Sequence, residues 1–304
     1  MKVATIDIGT NSMRLLLADY ENENIVSNKK VAKVTKIGRG VDQNKLLSEQ
    51  AINENVNVLE EFVKTAKQNK AEKIAVMATS ALRDAKNSEE FLEKAYERTG
   101  IRVTILSGDM EAKLGFMGIK SLLDPHDYSL TVDIGGGSTE FIVGDVTGEI
   151  IFAKSENIGC VRLTEKFLKS DPPTDFEISC MTDYMNQVFE DTFEVIRKYK
   201  ISQVIGIGGT FTSLSSMLQH LEVYNPLKVH KSKLYIDDVV SLYDELAAMP
   251  LSYKQTIVGL QAKRADVIFA GVAIIKCIMQ HLGTNVVTVS EFDNLEGLIF
   301  EIMK

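Results

Sequence analysis

The 304-residue chain has little of what builds covalent or metal-held frameworks. Its three cysteines, Cys160, Cys180 and Cys277, are odd in number, far apart and form no C-x-x-C pair. That argues against a disulfide scaffold and reads as reduced thiols in a cytoplasmic protein. The four histidines, His126, His220, His230 and His281, are scattered and lack the spacing of a zinc site. No apolar run reaches the ~18 residues of a membrane helix, and residues 1–7 lack the apolar core of a signal peptide. Basic charge is also short: 34 Lys and Arg against 42 Asp and Glu leave a net charge of −8. A general nucleic-acid binder usually carries a basic excess, so that class is disfavoured. A polyanionic substrate in a local basic channel is not excluded, because net charge says nothing about distribution. No linker or low-complexity segment interrupts the chain.

What is present is an ordinary globular balance, 45% hydrophobic and 25% charged, over a length that suggests two domains. One stretch stands out: Asp133-Ile134-Gly135-Gly136-Gly137-Ser138-Thr139-Glu140, set between the apolar runs 128–132 and 141–143. It reads as a strand, a tight turn and a returning strand. Three glycines remove every Cβ from the turn, so backbone N–H groups can approach a ligand closely. Donors presented in this way suit phosphate. The flanking acids, Asp133 and Glu140, suit a phosphate that arrives with a divalent cation.

The stretch has a partner. With an offset of 126, residues 4–19 match at Thr5/Thr131, Asp7/Asp133, Ile8/Ile134, Gly9/Gly135, Ser12/Ser138 and Asp19/Asp145. All six identities fall in one strand–turn–strand pattern, which points to an internal duplication and two similar domains facing each other. Along the first half, strands are expected at 2–8, 13–20, 25–37, 73–79 and 103–106. Helices follow from Ser48 as an N-cap, over 88–98 and over 108–123, the last carrying Glu111 near its first turn. Asp124-Pro125-His126-Asp127 breaks the pattern and sets the expected domains at 1–124 and 125–304, with the helix 294–304 free to pack back on the first. The second half repeats the plan, with strands at 128–134, 140–146, 149–155, 203–207 and 286–289. Its helices are expected over 175–199, from about 212, and over 237–248, 264–281 and 295–302. Gly208-Gly209-Thr210 forms a third strand–glycine–helix junction, able to hold an anion at a helix N-terminus. The alternation defines an α/β chain with mixed sheets.

Taken together, Asp7 to Ser12, Thr79 to Ala85, Leu106 to Ala112, Asp133 to Glu140, Gly206 to Thr210 and Arg264-Ala265-Asp266 with Gly271 resemble the exopolyphosphatase/guanosine pentaphosphate phosphatase (Ppx/GppA) family. That family lies within the superfamily of actin, hexokinase and the heat-shock chaperone ATPases. The resemblance implies two duplicated ribonuclease H-like domains, each a mixed sheet flanked by helices, with a cleft between them. It implies Mg²⁺-dependent hydrolysis of the terminal phosphoanhydride of polyphosphate or pppGpp, in the cytoplasm, with a homodimer as the family-based expectation and no nucleic-acid or membrane partner. By the same resemblance Glu111 activates water, and Asp133 and Glu140 handle Mg²⁺ and water. Thr10, Asn11, Ser12, Gly135, Gly136, Gly137 and Ser138 donate to phosphate, and Arg83 contacts it. Gly208, Gly209 and Thr210 line the position where kinase-like relatives hold nucleotide.

The sequence departs from the family in two places. The extra C-terminal helical domain of long members is not expected, as in the short forms. At Asp293 and Leu295 the family usually has a glycine and an arginine, so one cation near the cleft or hinge is expected to be missing. Two other readings stay open on the residues: an ATP-dependent small-molecule kinase of the same superfamily, and a catalytically weak phosphate or nucleotide sensor.

Overall fold

The computed structural model describes all 304 residues. The chain divides into two units, Met1–Gly118 with Asp293–Lys304, and Ile119–Phe292.

Unit 1 begins with β1 (Lys2–Ile8), β2 (Ser12–Glu21) and β3 (Asn24–Val34), continues through α1 (Val41–Asn44), α2 (Glu49–Gln68), β4 (Lys73–Ala78), α3 (Ser80–Asp84), α4 (Ser88–Thr99) and β5 (Val103–Ile105), and reaches α5 (Gly108–Gly118). Its sheet runs β3-β2-β1-β4-β5, antiparallel through the hairpins and parallel across β1, β4 and β5. Because successive strand residues point to opposite faces, β1 sorts itself. Ala4, Ile6 and Ile8 join the core made with Ile52, Leu59 and Phe62 of α2 and Phe91 of α4. Val3 looks the other way, with Thr5 and Asp7. Ser48 caps α2 by accepting from the Ala51 N–H, and Gly100 stops α4 at φ 69°.

Unit 2 holds β6 (Tyr128–Ile134), β7 (Thr139–Gly144), β8 (Ile150–Glu156), α6 (Cys160–Phe167), α7 (Asp175–Ile196), β9 (Ile201–Ile207), α8 (Gly208–Leu218), α9 (Pro226–Val229), β10 (Lys233–Tyr235), α10 (Ile236–Ala248), α11 (Leu251–Lys254), α12 (Ile268–Leu282) and β11 (Val286–Val289). The sheet order is β10-β11-β9-β6-β7-β8. Read from β8 to β11, it repeats the order and strand directions of unit 1, with β10 added antiparallel at the edge. The duplication inferred from sixteen residues therefore extends to the whole sheet. Leu130, Val132, Phe141 and Val143 pack with α6, α7 and α12, and Phe141 meets Phe189 and Phe193 edge-on at 5.2 and 5.9 Å. Burying each such side chain contributes about 1.5–3 kcal/mol. The apolar helix α12 is a core element, buried along nearly its whole length.

The last helix, α13 (Asn294–Ile302), returns to unit 1 and places Leu295, Leu298 and Ile299 against Val3, Leu16 and Leu114. Two glycines set its approach to α5. A Cβ on Gly297 would fall 1.8 Å from the Leu114 carbonyl oxygen, and one on Gly118 would fall 2.0 Å from that of Asp293. Several boundaries differ from the sequence reading. The helix expected over 108–123 ends at Gly118 and is followed by a short 3₁₀ turn, Lys120–Leu122, which moves the first unit boundary from 124 to 118. The C-terminal helix, left free in the sequence reading to pack back on the first domain, lies with residues 293–304 in unit 1. Helix α8 begins at Gly208, about four residues early, because a glycine at φ 83° can turn directly out of β9. Arg264 lies in the 3₁₀ turn Ala262–Arg264 before α12.

Candidate functional site

The two glycine hairpins close with the same bond. Gly9 N–H donates to the Ser12 carbonyl at 3.0 Å, and Gly135 N–H donates to that of Ser138 at 3.0 Å. The registers also coincide, Ile8 opposite Met13 and Ile134 opposite Thr139. One step further from the turn, Asp7 faces Arg14 in the first hairpin and Asp133 faces Glu140 in the second. The duplicated scaffold thus carries an acid–base pair in unit 1 and an acid pair in unit 2.

In unit 2 the loop is held from behind by the start of α6. Cys160 N–H donates to the Gly135 carbonyl (3.1 Å), while Val161 and Arg162 N–H donate to that of Gly136 (2.8 and 3.1 Å). The Arg162 Nε donates to the Gly137 carbonyl at 2.8 Å. In a trans peptide the N–H points opposite the C=O of the preceding residue. With the carbonyls of 135, 136 and 137 turned to α6, the amides of Gly136, Gly137 and Ser138 face the other way, and none of them donates to a backbone carbonyl. Amides left without a backbone acceptor in this way are able to hold an anion. Gly159 allows the approach, since a Cβ there would meet the Gly136 carbonyl carbon at 2.4 Å. Arg162, 9% exposed, is the residue that sequence reasoning missed. Its only signal was an arginine in the first turn of a short helix right after a glycine.

Asp133 and Glu140 are both buried. Ser155 Oγ donates to Glu140 Oε1 at 2.8 Å. Asp133 lies over the start of α8, where a Cβ on Gly208 would sit 2.3 Å from its Oδ1. No third His, Cys, Asp or Glu joins them in a cluster able to hold a metal by itself. Two carboxylates beside a glycine loop fit Mg²⁺, which keeps several waters and takes few protein ligands, and do not fit a protein-only cage. The third glycine junction frames this site. Thr210 Oγ1 donates to the Ile134 carbonyl at 3.0 Å. Arg264 Nη1 donates to the Gly209 carbonyl and to Ser213 Oγ at 2.5 and 2.6 Å, in space that a Cβ on Gly209 would fill.

In unit 1 the first loop is tied back in the same manner. The Asn11 carbonyl accepts from Thr35 and Lys36 N–H (3.1 and 3.0 Å), and the Thr10 carbonyl accepts from Gly38 N–H (2.9 Å). Thr10 and Asn11 are buried and Ser12 is half-buried. Both polar atoms of the Asn11 side chain, Nδ2 and Oδ1, lack a hydrogen-bond partner although the residue is only 6% exposed. A buried amide left this way costs free energy, which a bound ligand would recover.

Glu111 sits in the first turn of α5, 7% exposed. Arg83, at the end of α3, donates from Nη1 both to Glu111 Oε2 and to the Leu106 carbonyl, each at 2.9 Å. The arginine expected at phosphate therefore first fixes the glutamate. On the same sheet face, Arg14 donates from Nε and Nη2 to Asp7 Oδ2 (3.0 and 2.5 Å) and from Nη1 to Asp293 Oδ2 (2.5 Å). Lys30 reaches Glu296 at 3.0 Å and Asp293 at 3.6 Å. Burial holds the Asp7 carboxyl above its ordinary range despite Arg14. For Asp293 burial acts the same way, but the Arg14 and Lys30 charges and the Leu295 N–H outweigh it and bring the carboxyl below that range. The departure at 293 and 295 thereby acquires a structural account: Asp293 caps α13 and Leu295 fills the core. A surface hollow of about 490 Å³ lined by α2 and α4 contains none of these residues.

Paired glycine hairpins on duplicated mixed sheets, with a buried glutamate beside an arginine, define a phosphate-handling α/β protein. The chain belongs to the Ppx/GppA phosphatase family, whose profile matches residues 7–304. It is 39% identical to a bifunctional 3-dehydroquinate synthase/phosphatase of Fusobacterium nucleatum over 98% of its own length, and spans 46% of that protein. It is 30% identical to exopolyphosphatase 2 of Mycobacterium tuberculosis, covering 99% of this chain and 98% of that one. A crystal structure of an exopolyphosphatase from Cytophaga hutchinsonii superposes with a TM-score of 0.90 at 28% identity, covering 100% and 98% of the two chains. No helix is long and apolar enough to cross a membrane.

Proposed function

We propose that the chain is a hydrolase of phosphoric anhydrides that releases orthophosphate from the end of polyphosphate, of pppGpp, or of both. The observation that carries this reading is Glu111, buried and fixed by Arg83 at 2.9 Å in the unit whose loop leaves the Asn11 amide unsatisfied. A fixed carboxylate within reach of water is a general base. Water attacks the terminal phosphorus, Glu111 takes its proton, and the bridging P–O bond breaks with its electron pair leaving on the shortened chain. Within unit 1, the donors of Thr10, Asn11 and Ser12 would disperse the phosphoryl charge that this step concentrates. Asp133 and Glu140 would hold Mg²⁺, which when bound neutralises phosphate charge. Three unpaired cysteines accord with a reducing, cytoplasmic setting.

The test is phosphate release from polyphosphate, pppGpp and ATP with Mg²⁺, by the unaltered protein and by Glu111→Gln. We expect release from at least one of the first two, and a fall in kcat of about 10²–10⁴-fold in the variant. Release from neither refutes the reading. Release that requires a sugar or carboxylate acceptor makes the protein a kinase.

A further inference from the structure

We propose that Arg162 is a positioning residue of the second glycine loop: by holding the Gly137 carbonyl it aims the Ser138 amide at phosphate, without itself binding the anion. The inference rests on the hydrolase reading above and adds to it a residue of unit 2.

The loop peptides are held by their carbonyls, but not all by the same kind of donor. The Gly135 carbonyl accepts from the Cys160 N–H, and the Gly136 carbonyl from the Val161 and Arg162 N–H groups, so backbone alone fixes these two. The Gly137 carbonyl takes no backbone amide and accepts instead from Arg162 Nε at 2.8 Å. The N–H of that same planar peptide belongs to Ser138 and points the opposite way. Its direction is therefore set by one side chain. With glycine before it, a residue that tolerates backbone angles closed to others, this peptide is the one in the loop able to turn over once Arg162 is removed.

The rest of the turn does not depend on Arg162. Gly135 N–H donates to the Ser138 carbonyl at 3.0 Å, and Thr139 Oγ1 donates to the Ile158 carbonyl at 2.6 Å, so both ends stay anchored. Arg162 is well placed for the task. It lies in the first turn of α6, 9% exposed, and Gly159 lets that turn come close, since a Cβ there would fall 2.5 Å from the Gly137 nitrogen. The bond can be tested apart from the charge. Glutamine carries an amide nitrogen as many bonds from the backbone as the arginine Nε, so Arg162→Gln keeps a donor there and loses the cation. Arg162→Met keeps the length and loses both.

The experiment records amide proton–nitrogen NMR shifts of the whole protein during titration with inorganic phosphate and Mg²⁺, a probe that cannot be hydrolysed. In the unaltered protein the Gly136, Gly137 and Ser138 amides should all respond. Arg162→Met should abolish the Ser138 response while Gly136 keeps its own, and should weaken phosphate binding by about tenfold, the scale of one hydrogen bond to a charged group. Arg162→Leu, a second side chain without a donor, should repeat this. Arg162→Gln should restore the Ser138 response and most of the affinity. Any other contact of the guanidinium is lost in all three variants, so the difference between Arg162→Gln and Arg162→Met isolates the Gly137 bond. Thermal unfolding verifies that each variant is folded. A Ser138 response that survives Arg162→Met and Arg162→Leu overturns the proposal. So does its absence from folded Arg162→Gln, which would make the charge the working part of Arg162. Joint loss of every loop response in Arg162→Met, or failure of both donor-free variants to fold, makes the residue merely structural and overturns it as well. Silence of all three amides in the unaltered protein removes the loop from the phosphate site and the proposal with it. The hydrolase reading is judged separately, by phosphate release from the unaltered protein, and can fail while the Ser138 amide still responds.

Discussion

Replacing Gly297 by alanine tests whether the C-terminal helix holds α5, which carries the proposed base Glu111, in place. The added Cβ would lie 1.8 Å from the Leu114 carbonyl oxygen and 2.6 Å from its carbon, both backbone atoms that no rotamer change can move. Relief requires α5 and α13 to part by about 1 Å, since real Cβ contacts essentially never fall below 3.0 Å. Overpacking of this kind costs about 1–3 kcal/mol or more, against about 1 kcal/mol regained by removing a helical glycine. A net loss of about 1–2 kcal/mol lowers Tm by roughly 4–8 °C in a unit of this size. The kinetic effect should be larger than the thermal one. Leu114 lies about one turn beyond Glu111, and if Glu111 is the base proposed above, a 1 Å misplacement can cost about 10²-fold in rate. Gly100→Ala is the control: its φ of 69° strains an alanine, but nothing lies within 4 Å and no site residue rests on it. Scanning calorimetry and phosphate-release assays well below Tm read the two effects. If Gly297→Ala keeps both Tm and kcat, the close helix pair does not position Glu111 and the reasoning fails.

Burial pushes the Glu296 carboxyl above its ordinary 4.5, and Lys30 opposes this. A raised folded-state value means that the stability linked to this proton is full below about pH 4.5 and is lost as pH rises through the folded value. Lys30→Met should therefore destabilise little near pH 4 and progressively more toward pH 7, and melting curves with the same deficit at both would contradict this. Gly208→Ala, which forces φ 83° on an alanine and crowds Asp133, should raise the Mg²⁺ needed for half-maximal activity about tenfold or more while leaving unit 1 intact. An unchanged Mg²⁺ titration would remove Asp133 from the proposed metal site.

Much of this was legible in the sequence because short-range patterns encode it. The hairpin register, the glycine turns and the start of α5 before Glu111 depend on neighbours within a few residues. Pairings over long separations were not legible. Arg14 and Asp293 lie 279 residues apart, and from sequence Asp293 marked only a missing family residue. Arg162 was hidden for the opposite reason: it belongs to an ordinary helical stretch, and only tertiary packing sets that helix against the glycine loop. The edges of α8 and α12 shifted because glycine at positive φ and a 3₁₀ turn override periodicity near their starts.

The discontinuity of unit 1 bears on the order in which the molecule is made. Residues 119–292 are contiguous, so the later unit has all its strands and helices as soon as they leave the ribosome. The earlier unit waits, with Val3, Leu16 and Leu114 uncovered, until residues 293–304 emerge. During synthesis the N-terminal sheet is therefore the last to be sealed, and a ribosome that stalls before Leu295 leaves an exposed apolar face for chaperones or proteases to find.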